Sequence, residues 1–172
     1  MNNLNFRDLR ADEIDVRVAI CREKGCSLLL YKDARCDMNI LDETVGALNW
    51  QRQHTRDNAN CIVSIWDESK SMWISKEDTG TESITEKEKG RASDSFKRAC
   101  FNWGIGRELY TAPFIWIAPP FVDIFPKNNG FTTLDKFRVE KIKIENKKIV
   151  ALSIINVAQN KRVFVWQKKE DK

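Results

Sequence analysis

Apolar residues change their spacing several times along the chain, and each change marks an element. In "ADEIDVRVAICREKG", Ile14, Val18 and Cys21 recur at helical intervals and the run stops at Gly25, which predicts a first helix closed by glycine. "CSLLLYK" follows as a short strand. "DMNILDETVGALNW" predicts a second helix with Ile40, Leu41, Val45 and Leu48 on its buried side and Asp37 or Asn39 as its cap. "NWQRQHTR", "NCIVSIWD" and "SMWISKEDTGTE", parted by the turn-rich "DNAN" and "ESKS", predict a three-stranded antiparallel meander. The 3.6 period returns from Thr85 to Trp103, opened by Thr85 and Glu88 at the spacing of a capping box, and predicts the third and longest helix.

The stretch "YTAPFIWIAPPFVDIFPKNNG" holds all four prolines and predicts an ordered apolar connection without regular structure. After it, "KFRVEKIKIEN", "KKIVALSIINVAQN" and "KRVFVWQKK" alternate with period 2 and predict further antiparallel hairpins, either a second meander or an extension of the first sheet. Helices and hairpins in separate blocks imply an α+β fold, an antiparallel meander packed on a long helix. At 172 residues with 42% hydrophobic content the whole chain, 1–172, reads as one domain.

The third helix separates two faces. Phe96, Ala99, Cys100 and Trp103 form its buried stripe, while Lys97 and Arg98 lie on the far side and straddle Phe101. Lys87, Arg91, Asp94 and Arg98 share a second stripe there. Paired with Glu86, Glu88 and Asp94, these cations describe a solvated helix face. With Phe101 between them they also describe what single-stranded nucleic acid requires, cations along the backbone and an aromatic group near the bases. These residues alone do not choose between DNA and RNA.

Charge adds a second basic region. From Lys136 on there are eleven Lys and Arg against four acids, a net +7, so the rest of a chain of net charge +4 carries −3. This suits a polyanion partner and solubility alike. The five cysteines include no CxxC pair and read as small buried apolar groups in a reducing compartment; His54, the only histidine, receives no role and a zinc site is not expected. Trp50, Trp66 and Trp73 on the meander read as core. No apolar run approaches the roughly 20 residues of a membrane span, and the start has no leader pattern, so the expected location is cytoplasmic, with no membrane partner.

No GxxxxGK[ST] loop is present, and "GIGREL" lacks the preceding strand of a dinucleotide motif, so no nucleotide cofactor is expected. Asp37, Asp42, Glu43, Glu77 and Asp78 supply the carboxylates a metal-dependent nuclease would need, but Glu77 and Asp78 point to opposite faces of a strand and no general base stands at a recognisable spacing.

"LDETVGALNWQ", "SKEDTGTES" and "EKGRASDSFKRACFNWG", in this order, resemble the annealing core of the Rad-fifty-two family of single-strand annealing proteins, including the Sak-type annealases of bacteriophages. The resemblance covers roughly residues 26–110; the basic hairpins of 136–169 rest on periodicity. It implies a ring of protomers whose basic groove holds one DNA strand with bases outward, so that complementary strands anneal without ATP, catalytic residue or metal. Homologous recombination and DNA repair would be its setting, in a bacterial cytoplasm, for a phage or prophage protein that works as a stand-alone core beside a host or phage single-strand-binding protein. Carried over by position, Lys97 and Arg98 hold phosphates at the groove floor and Arg35 is a further groove arginine. Phe101 stands where some members carry arginine, a loss for which Arg91 compensates in one reading; with Lys87 these make up the expected DNA-binding set. Glu77, Asp78 and Gly80 match the strand-closing motif and are expected to be structural, with Gly80 adopting backbone geometry closed to other residues. Lys70 and Lys76 are exposed hairpin lysines, solubilising or part of an outer site. The alternative is an RNA-binding or oligomeric scaffold protein on the same fold.

Overall fold

The computed structural model describes residues 4–81 and 87–169, the side chains of residues 87–89 excepted. In chain order the elements are β1 (Asp15–Arg22), β2 (Gly25–Tyr31), α1 (Ala34–Val45), β3 (Trp50–Thr55), β4 (Asn60–Asp67), β5 (Met72–Thr79), α2 (Lys87–Trp103), β6 (Ile115–Ile117), β7 (Phe125–Lys127), β8 (Gly130–Thr132), β9 (Phe137–Glu145), β10 (Lys148–Asn156) and β11 (Lys161–Gln167). The fold is α+β and its strand pairs are antiparallel. The chain divides into two compact units, one holding Asp33–Gly106 with the segment up to Arg7, the other Asp8–Lys32 with Arg107–Lys172.

In the first unit, β3, β4 and β5 form the expected meander, and α2 packs against β4 and β5. Alternation along β4 sends Cys61, Val63 and Ile65 inward, where they meet the buried Phe96, Ala99 and Cys100 of α2. Trp50 stacks on Phe96 at 6.1 Å, and the Trp103 indole donates to the Val63 carbonyl at 3.0 Å. Trp66 and Trp73 form an edge-on pair at 5.6 Å, but Trp73 is 37% exposed, so it is not the core residue expected of it. The second helix starts earlier than its apolar spacing suggests. Its N-cap is Asp33, in place of Asp37 or Asn39, and Asp37 is buried within it. Gly46 ends the helix, which strands Leu48 beyond it at 92% exposure. The Thr85 capping box lies outside the described residues.

The second unit is a six-stranded sheet in the order β11-β10-β9-β1-β2-β6, whose edge strands β6 and β11 return toward each other so that the sheet nearly closes. Cys26, Leu28, Leu30, Ile115, Ile117, Val139, Leu152 and Ile154 fill its interior. The last three strands therefore form a second antiparallel meander, β9-β10-β11, which belongs to this larger sheet and does not extend β3-β4-β5. The segment expected to be the first helix is strand β1. Val16 and Val18 alternate inward, and a bulge at Ala19, between the pairs Val18↔Leu28 and Ile20↔Ser27, brings Cys21 back to the inner side opposite Cys26. The bulge sets the successive inward positions Val18 and Cys21 three residues apart, which imitates helical spacing. The Pro-rich connection also contains structure, since Ile115–Ile117 pairs with β2 and β7 with β8.

Candidate nucleic-acid interface

The interface expected on α2 is built from the motifs that close β5 and run through the helix. Gly80 passes directly over α2: a Cβ there would stand 2.3 Å from the Ser95 nitrogen and 2.8 Å from the Arg91 carbonyl. Its φ lies outside the left-handed region, so glycine is required by close approach and not, as expected, by unusual backbone geometry. On either side of this contact the strand end is tied to the helix. Asp94 accepts from the Thr81 backbone at 2.8 Å and from its hydroxyl at 3.3 Å. Asp78 accepts from Arg98 Nε at 3.2 Å and from the Asn102 amide at 3.2 Å, while Asn102 also donates to the Glu77 carbonyl at 3.0 Å. The two motifs are halves of one interlock.

This decides what Lys97 and Arg98 can each do. Arg98 sits on the β5 side of α2 with its Nε committed to Asp78; its side chain is 45% exposed, and the terminal nitrogens carry the rest of its donors. Lys97, one residue earlier, is half-buried, and its charge acts on the Asp33 carboxylate at the head of α1. There Asp33 caps α1 by accepting from Arg35 backbone N–H at 2.7 Å, and holds the Arg35 guanidinium at 2.8 Å. The Arg35 side-chain hydrogen bond, then its backbone N–H, and then the charges of Arg35 and Lys97 bring the Asp33 carboxyl down to about 2. Asp33 thus binds Arg35 directly and feels the charge of Lys97 from α2, whereas Arg98 is attached to Asp78.

The rest of the expected set is spread further. Arg91 Nη1 donates to the Asp57 carbonyl in the β3–β4 turn at 3.4 Å, and Phe101 is half-buried. The Lys87 side chain lies outside the described residues. Lys76 is half-buried and not the exposed hairpin lysine expected: its ammonium donates to the Asn102 carbonyl at 2.8 Å and lies 4.5 Å from the centre of the Trp103 ring, a cation at the C-terminal turn of a helix. Lys70 pairs with Asp67 in its turn. Burial, then the Arg52 charge, pushes His54 below its usual pKa, and Ser95 Oγ lies 3.5 Å from its Nδ1.

The carboxylates of the nuclease reading are engaged elsewhere. Asp42 accepts from the Trp50 indole at 2.6 Å, Glu43 pairs with Arg7 at 2.6 Å, and Glu77 accepts from Asn60 at 2.6 Å. Among the described residues no three His, Cys, Asp or Glu side chains converge in a geometry for a metal ion. Asp33 has no part in the sequence reading, although "KDAR" has the form of a helix cap, and Asp94, read there as a partner of the helix cations, holds Thr81 instead. No helix among the described residues is long and apolar enough to cross a membrane. No protein-family model matches the chain, and no curated protein and no solved structure matches it.

Proposed function

We propose that the protein binds single-stranded DNA and anneals complementary strands without ATP, and that Arg35 and Lys97 are its principal phosphate contacts in the first unit. The observation that carries this reading is the exposed Arg35–Asp33 ion pair at the head of α1, within the electrostatic reach of Lys97 on α2. The side chain of Arg35 is 82% exposed in that pair. Ion pairs this exposed contribute roughly 0–1 kcal/mol, so a phosphate oxygen replaces the carboxylate at little cost. Arg98 contributes through its terminal nitrogens while Asp78 holds its orientation. The aromatic half of the site is Phe101, beside Lys97 and Arg98 on α2. Protomers arranged in a ring would align such sites along one strand, the arrangement implied by the resemblance to the Rad-fifty-two family.

The test is fluorescence-monitored annealing of two complementary oligonucleotides without nucleotide or metal, run for the parent and for Arg35→Gln with Lys97→Gln. Faster annealing by the parent, loss in the variant, and a salt dependence of strand binding shallower by about 0.7 per lost contact in log–log slope would uphold the proposal. A folded variant that anneals like the parent would remove these residues from the site. Activity on RNA alone, or defined oligomers in light scattering with no strand binding, would favour the RNA-binding or scaffold reading.

A further inference from the structure

Charge is divided between the two units. The first has 11 basic and 13 acidic residues, a net −2, and the second 18 and 12, a net +6. A polyanion is therefore attracted most strongly to the unit that the α2 site does not include. Four of its cations, Arg138, Lys141, Lys143 and Arg162, lie on the outer face of β9, β10 and β11. The register forms cross-strand rows there: Lys143 beside Ala151 beside Gln167, Lys141 beside Ser153 beside Val165, and Arg138 beside Ile155 beside Arg162. Because the central strand contributes the short side chains of Ala151 and Ser153, the face is hollowed into an open groove of about 410 Å³, lined also by Lys141, Lys143, Arg162 and Val165.

Two carboxylates belong to this face, and each arranges a cation. Glu140, at the bulge of β9, takes the Arg162 guanidinium at 2.6 Å and the Ser153 hydroxyl at 2.9 Å. Glu145 pairs with Lys143 at 2.7 Å, with both side chains more than half exposed. Lys141 and Lys143 are two residues apart on one strand face, about 6.8 Å, the order of spacing of successive phosphates on an extended strand.

We infer that this groove is a second phosphate-binding surface, which takes the sugar–phosphate backbone of single-stranded DNA along Lys141 and Lys143, with Arg162 held in place by Glu140. The short floor lets the backbone approach the sheet, and Val165, 68% exposed, offers an apolar contact to a sugar or base. The inference rests on the single-strand reading above, and names a surface that the α2 motifs do not contain.

The experiment titrates a fluorescent oligo-dT at several salt concentrations into the parent, into Lys141→Gln with Lys143→Gln, into the Arg35 and Lys97 double variant, and into a charge-matched control, Lys24→Gln with Lys127→Gln. The expected result is weaker binding by the groove variant with a log–log salt slope shallower by about 1.4, two contacts at about 0.7 each, and an unchanged slope in the control. Parent-like binding by the groove variant, with loss in the Arg35 and Lys97 variant, would overturn the groove and leave the proposed function standing. Equal losses in groove variant and control would reduce the effect to net charge and also overturn it. A parent that does not bind oligo-dT would overturn both.

Discussion

Gly80 shows how far one side chain's absence can reach. Gly80→Ala would push a methyl group into the backbone of α2 at Ser95 and Arg91, two atoms that cannot swing away, so the strand end or the helix must shift. The expected loss is about 1–3 kcal/mol, read as a lower urea midpoint at unchanged slope. Glycine's place in the motif was visible in the sequence; the reason for it was not, because a close approach between segments more than ten residues apart leaves no local mark. The cysteines were more legible as a class than one by one. Burial pushes the Cys61 thiol up to about 11, and burial and then the neighbouring Cys21 push Cys26 up to about 12. Cys36 and Cys100 are buried and Cys21 is partly exposed. Brief alkylation of the folded protein followed by peptide mass spectrometry should therefore label Cys21 first; early labelling of Cys26 or Cys61 would contradict their burial.

Elements are joined by a few polar ties whose strength can be measured. Asp94→Ala removes the acceptor of the Thr81 backbone N–H and should cost about 1–2 kcal/mol in urea unfolding, and a variant as stable as the parent would show that the interlock rests on Gly80 and Asp78 alone. In the β9–β11 sheet, hydrogen bonds from Arg162 and Ser153 lower the Glu140 carboxyl from its usual 4.5 to about 2. A lowered folded-state value stabilises fully above the unfolded value and is lost as pH falls through the folded one. Between pH 4.5 and about 2 the parent should lose more stability than Glu140→Gln, and equal losses would mean that the pair adds nothing to folding. The meander and α2 were legible because their periods run unbroken over whole elements. The strand β1 was not, because the bulge at Ala19 spaces Val18 and Cys21 as a helix would. Likewise α1 begins at a cap, Asp33, that precedes its first apolar residues.

At the scale of the molecule, charge and connectivity follow different boundaries. The basic C-terminal third stands out in the sequence, but the division into a −2 unit and a +6 unit does not, because each unit is assembled from separated segments. The motifs of 26–110 enclose α1, the meander and α2, so the candidate residues were legible as a set, whereas the commitment of Arg98 to Asp78 depends on what that side of the helix touches. In the second unit β1 and β2 lie between β9 and β6. A fragment of residues 107–172 lacks the strands that join its own, and its far-UV circular dichroism should show no cooperative thermal transition; a sharp one would mean that β6 and β9–β11 find another pairing. The same strand order sets a timetable during synthesis. At about 5–20 residues per second, Phe137 leaves the ribosome roughly 5–20 s after Tyr31, and through that interval the hairpin of β1 and β2 waits with Leu28 and Leu30 uncovered, a client for any chaperone that recognises nascent apolar strands.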